Sequence, residues 1–124
     1  MKGPITIVVP GRPVPKGRPR VVRGHTYTPA ATVAAERTIA FLARKAGAKP
    51  VKGPVAVRMG FFFQDGRARR DIDNLTKLVL DALNSVAFKD DRHVIQLDAA
   101  IYRGQPDRTV ITITPFAKEA SCTT

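Results

Sequence analysis

Residues 71–91, DIDNLTKLVLDALNSVAFKDD, hold Asp71, Asp73, Asp81, Asp90 and Asp91, five of the ten acidic residues in a chain whose formal net charge is +11. Each carboxylate taken singly has an ordinary role: Asp73 as a helix cap, Asp81 as an ion-pair partner of Lys77, Asp90 and Asp91 in a solvated turn. Drawn close together, they would repel and raise one another's pKa unless a cation neutralised them. Oxygen ligands with no His or Cys in support suit a hard cation, magnesium with manganese as a substitute, rather than zinc. The stretch is not an EF-hand, because the loop's third and last ligand positions would be Leu75 and Ala82 and its glycine position Thr76.

The element that has to position these groups is an amphipathic helix. Leu75, Leu78, Val79, Ala82, Leu83 and Val86 recur at helical spacing, which predicts a helix capped by Asp73 or Asn74 and running to about Val86. Asp73, Lys77 and Asp81 follow one another at intervals of four, so they line the opposite edge as neighbours. After the Asp90-Asp91 pair, HVIQLDAAIYR alternates as a strand does. A helix turning back into that strand would return Asp91 to the helix start.

The run Arg69-Arg70-Asp71-Ile72-Asp73-Asn74-Leu75, followed by Lys77, Asp81-Ala82-Leu83-Asn84 and Asp90-Asp91, resembles the RusA-type Holliday junction resolvases, a family of crossover junction endodeoxyribonucleases. The likeness continues upstream in Pro13-Val14-Pro15-Lys16-Gly17-Arg18-Pro19-Arg20 and Tyr27-Thr28-Pro29, so it covers most of the chain. It implies a magnesium-dependent enzyme that resolves four-way DNA junctions in recombination and repair. It implies a homodimer as well, since two symmetric nicks need two sites. Carried over residue by residue, it makes Asp71, Asp73 and Asp91 the metal-binding carboxylates and adds Lys77 to them as the catalytic set. Family spacing favours Asp91 over Asp90 as the direct ligand, with Asp90 a candidate support behind it. Asp81 is read as structural.

The charge is uneven in a way that fits a polyanionic substrate. Up to residue 70 there are fifteen Lys and Arg against two acids, and beyond it six against eight. A basic surface around a small acidic centre suits metal-dependent chemistry on phosphates. Arg12, Lys16, Arg18, Arg20 and Arg23, in the Pro- and Gly-punctuated stretch GRPVPKGRPRVVRGHTYTP, are candidate DNA contacts. His25 and Tyr27 among them suit stacking on an unpaired base, and the whole stretch reads as a long functional loop. Arg67, Arg69 and Arg70, leading into Asp71, are candidates to hold backbone phosphates beside the metal. Two other readings keep part of this pattern. A non-catalytic basic nucleic-acid-binding protein would use its acids as caps and turns, and a phosphohydrolase for small nucleotides would share the metal but not need the basic loops.

With 124 residues, 44% of them hydrophobic, the chain makes one domain, expected over residues 1–116 with a polar tail at 117–124. The single Cys122 lies in that tail and can form no internal disulfide. The longest early apolar run, residues 7–9, is too short for a signal peptide and nothing later approaches a membrane span, so a cytoplasmic protein is expected. Strands are predicted over residues 4–9, 55–63, 93–103 and 108–115, the last two joined as a hairpin through residues 104–107. A helix is predicted from Thr28-Pro29 to about Ala46, burying Ala35, Ile39, Leu42 and Ala46. The order β-α-β-α-β-β makes an α/β fold, a single small mixed sheet of about four strands layered with two helices.

Overall fold

The computed structural model describes residues 3–66 and 71–116. In chain order the elements are β1 (Ile5–Pro10), β2 (Arg20–Val22), β3 (His25–Tyr27), α1 (Ala30–Lys45), β4 (Val55–Phe63), α2 (Ile72–Leu83), a single 3-10 turn at Asp91–His93, β5 (Val94–Arg103) and β6 (Arg108–Pro115). Strand β4 is the axis of the fold. Its alternate residues Val55, Val57, Met59, Phe61 and Phe63 are all buried, and together with Ile111 and Ile113 of β6 they meet Ile39 and Ala43 of α1 and Leu75, Leu78, Val79 and Leu83 of α2 in one core. The four-stranded sheet runs β1-β6-β4-β5, antiparallel except for the parallel pair β4 and β5. The α/β class, the mixed sheet and the two helices are as the sequence predicts.

Several local readings change. The last two strands are not a hairpin, because β4 lies between β5 and β6. Residues 104–107 instead cross the end of β4, where the N–H of Gly104 donates to the Phe63 carbonyl at 2.8 Å and Asp107 Oδ1 accepts from Gln64 N–H at 2.8 Å. Alternation tells which face a residue takes, not which strand lies beside it. The Pro- and Gly-rich stretch is not structureless either: β2 and β3 form a small hairpin. In α1 the dry positions are Thr32, Ile39 and Ala43, while Ala46 is exposed and Pro29 rather than Thr28 is the cap. Thr32 is buried because its hydroxyl accepts the Gly17 N–H at 2.9 Å. Helix α2 begins two residues earlier than the apolar stripe suggests, with Asp71 as its cap, and ends at Leu83; Val86, Ala87 and Phe88 stay buried in the turn that follows, which prolongs the apolar pattern.

One consequence bears on the acids. Parallel strands cannot be joined by a tight turn, and α2 is the crossover between β4 and β5. Its start shares a groove with Phe63, the last residue of β4. The turn after its end lies beside Val51, whose N–H donates to the Ala87 carbonyl at 3.1 Å just ahead of β4. Asp91 leads into Val94, which pairs with Val55 at that same far end. The helix therefore does not return Asp91 to Asp71 within one chain. Twelve residues of helix, at about 1.5 Å each, put roughly 18 Å between the end that Asp71 caps and the end from which the chain leads on to Asp91.

Candidate active site

At the start of α2 the Asp71 carboxylate is fixed from several directions. Its Oδ1 accepts the N–H of Asp73 at 3.0 Å and of Asn74 at 3.3 Å, and its Oδ2 accepts Asn74 Nδ2 at 2.9 Å. The first two bonds satisfy amides that have no helical partner. Asn74 is a positioning residue that the sequence reading credited only with capping; its interval of three from Asp71 was the available signal. Asp71, Asp73 and Lys77 are all exposed, and among the described residues Lys77 makes no ion pair. Asp71 and Asn74 line a groove with Arg12, Pro13, Lys16 and Phe63.

At the other end, Asp81, Asp90 and Asp91 form a second acidic group. Asp90 accepts the N–H of Arg92 at 3.1 Å, and that bond, followed by one from the Asp91 carboxyl, holds its pKa below the usual carboxylate range. The same carboxyl–carboxyl bond pushes Asp91 up, and the charges of Asp90 and Asp81 add to the effect. Asp81 Oδ2 is held at 3.0 Å by Lys16 Nζ, which also donates to Glu36 Oε2 at 2.8 Å. Glu36 was not singled out from sequence. Its partner lies in the loop ahead of α1, 20 residues away, and no local pattern announces the pair.

The candidate DNA contacts divide into two kinds. Arg18, Arg20 and Arg23 are exposed. Arg12 pairs with Asp65 at 3.0 Å and lies over the Phe63 ring, and Lys16 ties the loop to both helices through Glu36 and Asp81 and through its own N–H to the Asn74 carbonyl at 2.9 Å. Arg67, Arg69 and Arg70, like Cys122 and the rest of the tail from residue 117, lie outside the described residues.

A family model for Endodeoxyribonuclease RusA matches residues 10–114 of the 124. The chain belongs to the RusA endodeoxyribonuclease family. It is a nuclease, of a family that resolves Holliday junctions. The span matched by the RusA family model takes in the basic loop, both helices and both acidic groups. A search of curated proteins found no match. No described helix is long and apolar enough to cross a membrane.

RusA-family nucleases depend on a divalent metal. The first turn of α2 has the right donor chemistry for one: two exposed carboxylates, all oxygen, with a lone pair of Asp71 Oδ2 still free after Asn74 has donated to it. Among the described residues no three His, Cys, Asp or Glu side chains come together as a ligand group. In one RusA chain, then, Asp71 and Asp73 share an end of α2, and Asp91 does not join them.

Proposed function

We propose that the chain is a magnesium-dependent, dimeric resolvase that cuts four-way DNA junctions by paired symmetric nicks, in recombination and repair in the cytoplasm. The observation that carries this is the tie between exposed Asp71 and Asp73 and the cationic loop, whose root is bonded to the same helical turn through Lys16 and Asn74. Asp71, Asp73 and Asp91 are the residues to hold the ion, with manganese as a substitute. Bound there, magnesium supplies a water of lowered pKa and neutralises charge on the scissile phosphate.

The rest of the work falls to the chain's own groups. Asn74 and two backbone amides fix the Asp71 carboxylate, so its free lone pair is aimed before substrate arrives. Lys77, one turn beyond Asp73 and with no ion pair to give up among the described residues, stabilises the extra negative charge of the transition state. Arg18, Arg20 and Arg23 hold the flanking phosphates, and Arg67, Arg69 and Arg70 are assigned the same role by their place in sequence. Arg12 and Lys16 already hold Asp65, Glu36 and Asp81, so they have fewer donors left for phosphates.

The separation of Asp91 supports the dimer. Strand β5 is an edge of the sheet, with Ile95 58% and Leu97 47% exposed. An uncovered apolar edge invites pairing with another strand. If two β5 strands pair antiparallel about a two-fold axis, one is reversed relative to the other. The partner's Asp91 then comes to the end of the sheet where β4 leads to Asp71, and each site draws on both subunits.

The test is a synthetic four-way junction with and without magnesium. Wild type should cut it only with the ion, Asp73→Asn should bind it without cutting, and Lys77→Ala should lose about 100-fold in turnover with little change in affinity. Undiminished cleavage by Asp73→Asn would refute the assignment. An equal loss of affinity in Lys77→Ala would make that lysine a DNA anchor.

A further inference from the structure

The hairpin of β2 and β3 is unlike the rest of the fold. Its two-residue turn, Arg23-Gly24, has positive φ at both positions, 51° and 79°, the geometry that lets so short a connection follow the strand twist. All eight residues from 20 to 27 are exposed, and Val21, Val22 and Tyr27 remain 70%, 52% and 54% accessible. A ribbon of two three-residue strands has little stability of its own in water.

Its root is held firmly all the same. The Gly17 N–H donates to Thr32 Oγ1, and the chain passes so close to α1 that a Cβ at Gly17 would come within 2.8 Å of Pro29 Cγ. Lys16, one residue earlier, is bonded to both helices. The molecule thus holds out, on a fixed base, an arm whose apolar side chains are wet.

Charge indicates what the arm meets. No acid occurs before Glu36, while Arg18, Arg20 and Arg23 stand on or beside the hairpin. Arginines alone account for phosphate contacts and leave the valines and tyrosine unexplained. By register Arg20 opposes Tyr27 and Val22 opposes His25, so one face of the ribbon carries Val22, His25 and Tyr27 with Arg20 at its root end; the other carries Val21 opposite Thr26. The His25 and Tyr27 rings lie 6.4 Å apart. A ribbon with apolar or aromatic groups on both faces and cations at its flanks suits insertion between bases, where apolar side chains replace lost stacking. A continuous duplex must first be unstacked to open such a gap, at a cost of a few kcal/mol per step. A point where strands exchange offers one.

We propose that the β2–β3 hairpin is a pin that seats among unstacked bases at the branch point, with Val21 and Val22 as the wedge, Tyr27 as the stacking surface and Arg18, Arg20 and Arg23 on the converging phosphates. The inference rests on the resolvase reading and adds to it the element that tells branched from linear DNA.

The experiment uses the full chain without divalent ion and a four-way junction carrying 2-aminopurine at the branch. Wild type should raise the fluorescence several-fold on binding. The double variant Val22→Ser/Tyr27→Ala should lose most of that rise and about tenfold of its preference for junction over linear duplex, while binding to linear duplex and its salt dependence persist. No rise with wild type, or a full rise with the variant, overturns the pin. So does dissociation of the variant's dimer in sedimentation, which would make the hairpin a contact between subunits. Cleavage of the same junction by wild type in magnesium is read in parallel. Cleavage without a fluorescence change sinks only the pin, whereas absence of cleavage sinks the resolvase reading itself.

Discussion

The two ends of α2 carry similar groups in opposite settings. At the N-terminal end, free amides and the positive end of the helix dipole favour carboxylates, and Asp71 is bonded to those amides. At the C-terminal end the dipole is unfavourable to anions. There Asp81 is paired with Lys16, and the neighbouring carboxyls of Asp90 and Asp91 shift each other's pKa, the first down and the second up. The first end holds two exposed carboxylates, one of them fixed by its bonds with a lone pair left over. The second is a set of acids that gains most from a positive charge brought from outside. That contrast is the basis of the proposal that an ion is held by the first end of one subunit and Asp91 of the other.

The sharpest way to break the contrast is at Asp71, where one side chain is asked both to cap and to bind metal. Asp71→Asn keeps a good cap but removes the charge, so junction cleavage should fall about 1000-fold while the melting temperature stays put. Asp71→Ala should lose the cleavage and in addition about 1 kcal/mol of stability. If thermal melting shows Asn as damaging as Ala, or if the Asn variant still cuts, the first end is structural only. Next comes the proposed seam: Leu97→Asp places charges at the β5 edge and should give a folded monomer in sedimentation with cleavage reduced about 100-fold or more. A dimer with full activity would move the interface elsewhere.

The smallest expected effect is at Lys16, the cation of the second end. Its pKa is raised chiefly by the hydrogen bond to Glu36, with Asp81 adding to it. A raised lysine pKa contributes stability that is fully present below the ordinary lysine range and is lost as pH climbs through the folded value. Lys16→Ala should therefore cost about 1 kcal/mol, or several degrees of melting temperature, at neutral pH, with the gap to wild type closing only in strong alkali. A gap that closes near neutral pH would mean that the ion pairs contribute nothing.

How much of this was legible in the sequence follows from the range of each interaction. The alternation of residues 55–63 and the apolar stripe from Leu75 to Leu83 are local signals, and β4 and α2 lie where those signals put them. The helix start was two residues off, because the apolar stripe begins only after the cap and its first turn. Strand neighbours were not legible: β5 and β6 are adjacent in sequence but separated by β4, and so Asp91 was expected at the wrong end of α2. The hairpin was hidden by its length and by an arginine at a turn position where Asn or Gly is the usual sign. Lys16 reads as one more loop cation because Glu36 and Asp81 come near it only when both helices pack.

Mixed dimers test most directly whether the two ends of α2 act together across subunits. Asp73→Asn and Asp91→Asn chains, each inactive alone, would be combined and assayed on a four-way junction in magnesium. The account predicts recovered nicking, because one of the two sites in each mixed dimer regains an unmodified Asp71, Asp73 and Asp91. Mixed dimers that form and stay as inactive as either parent would contradict it.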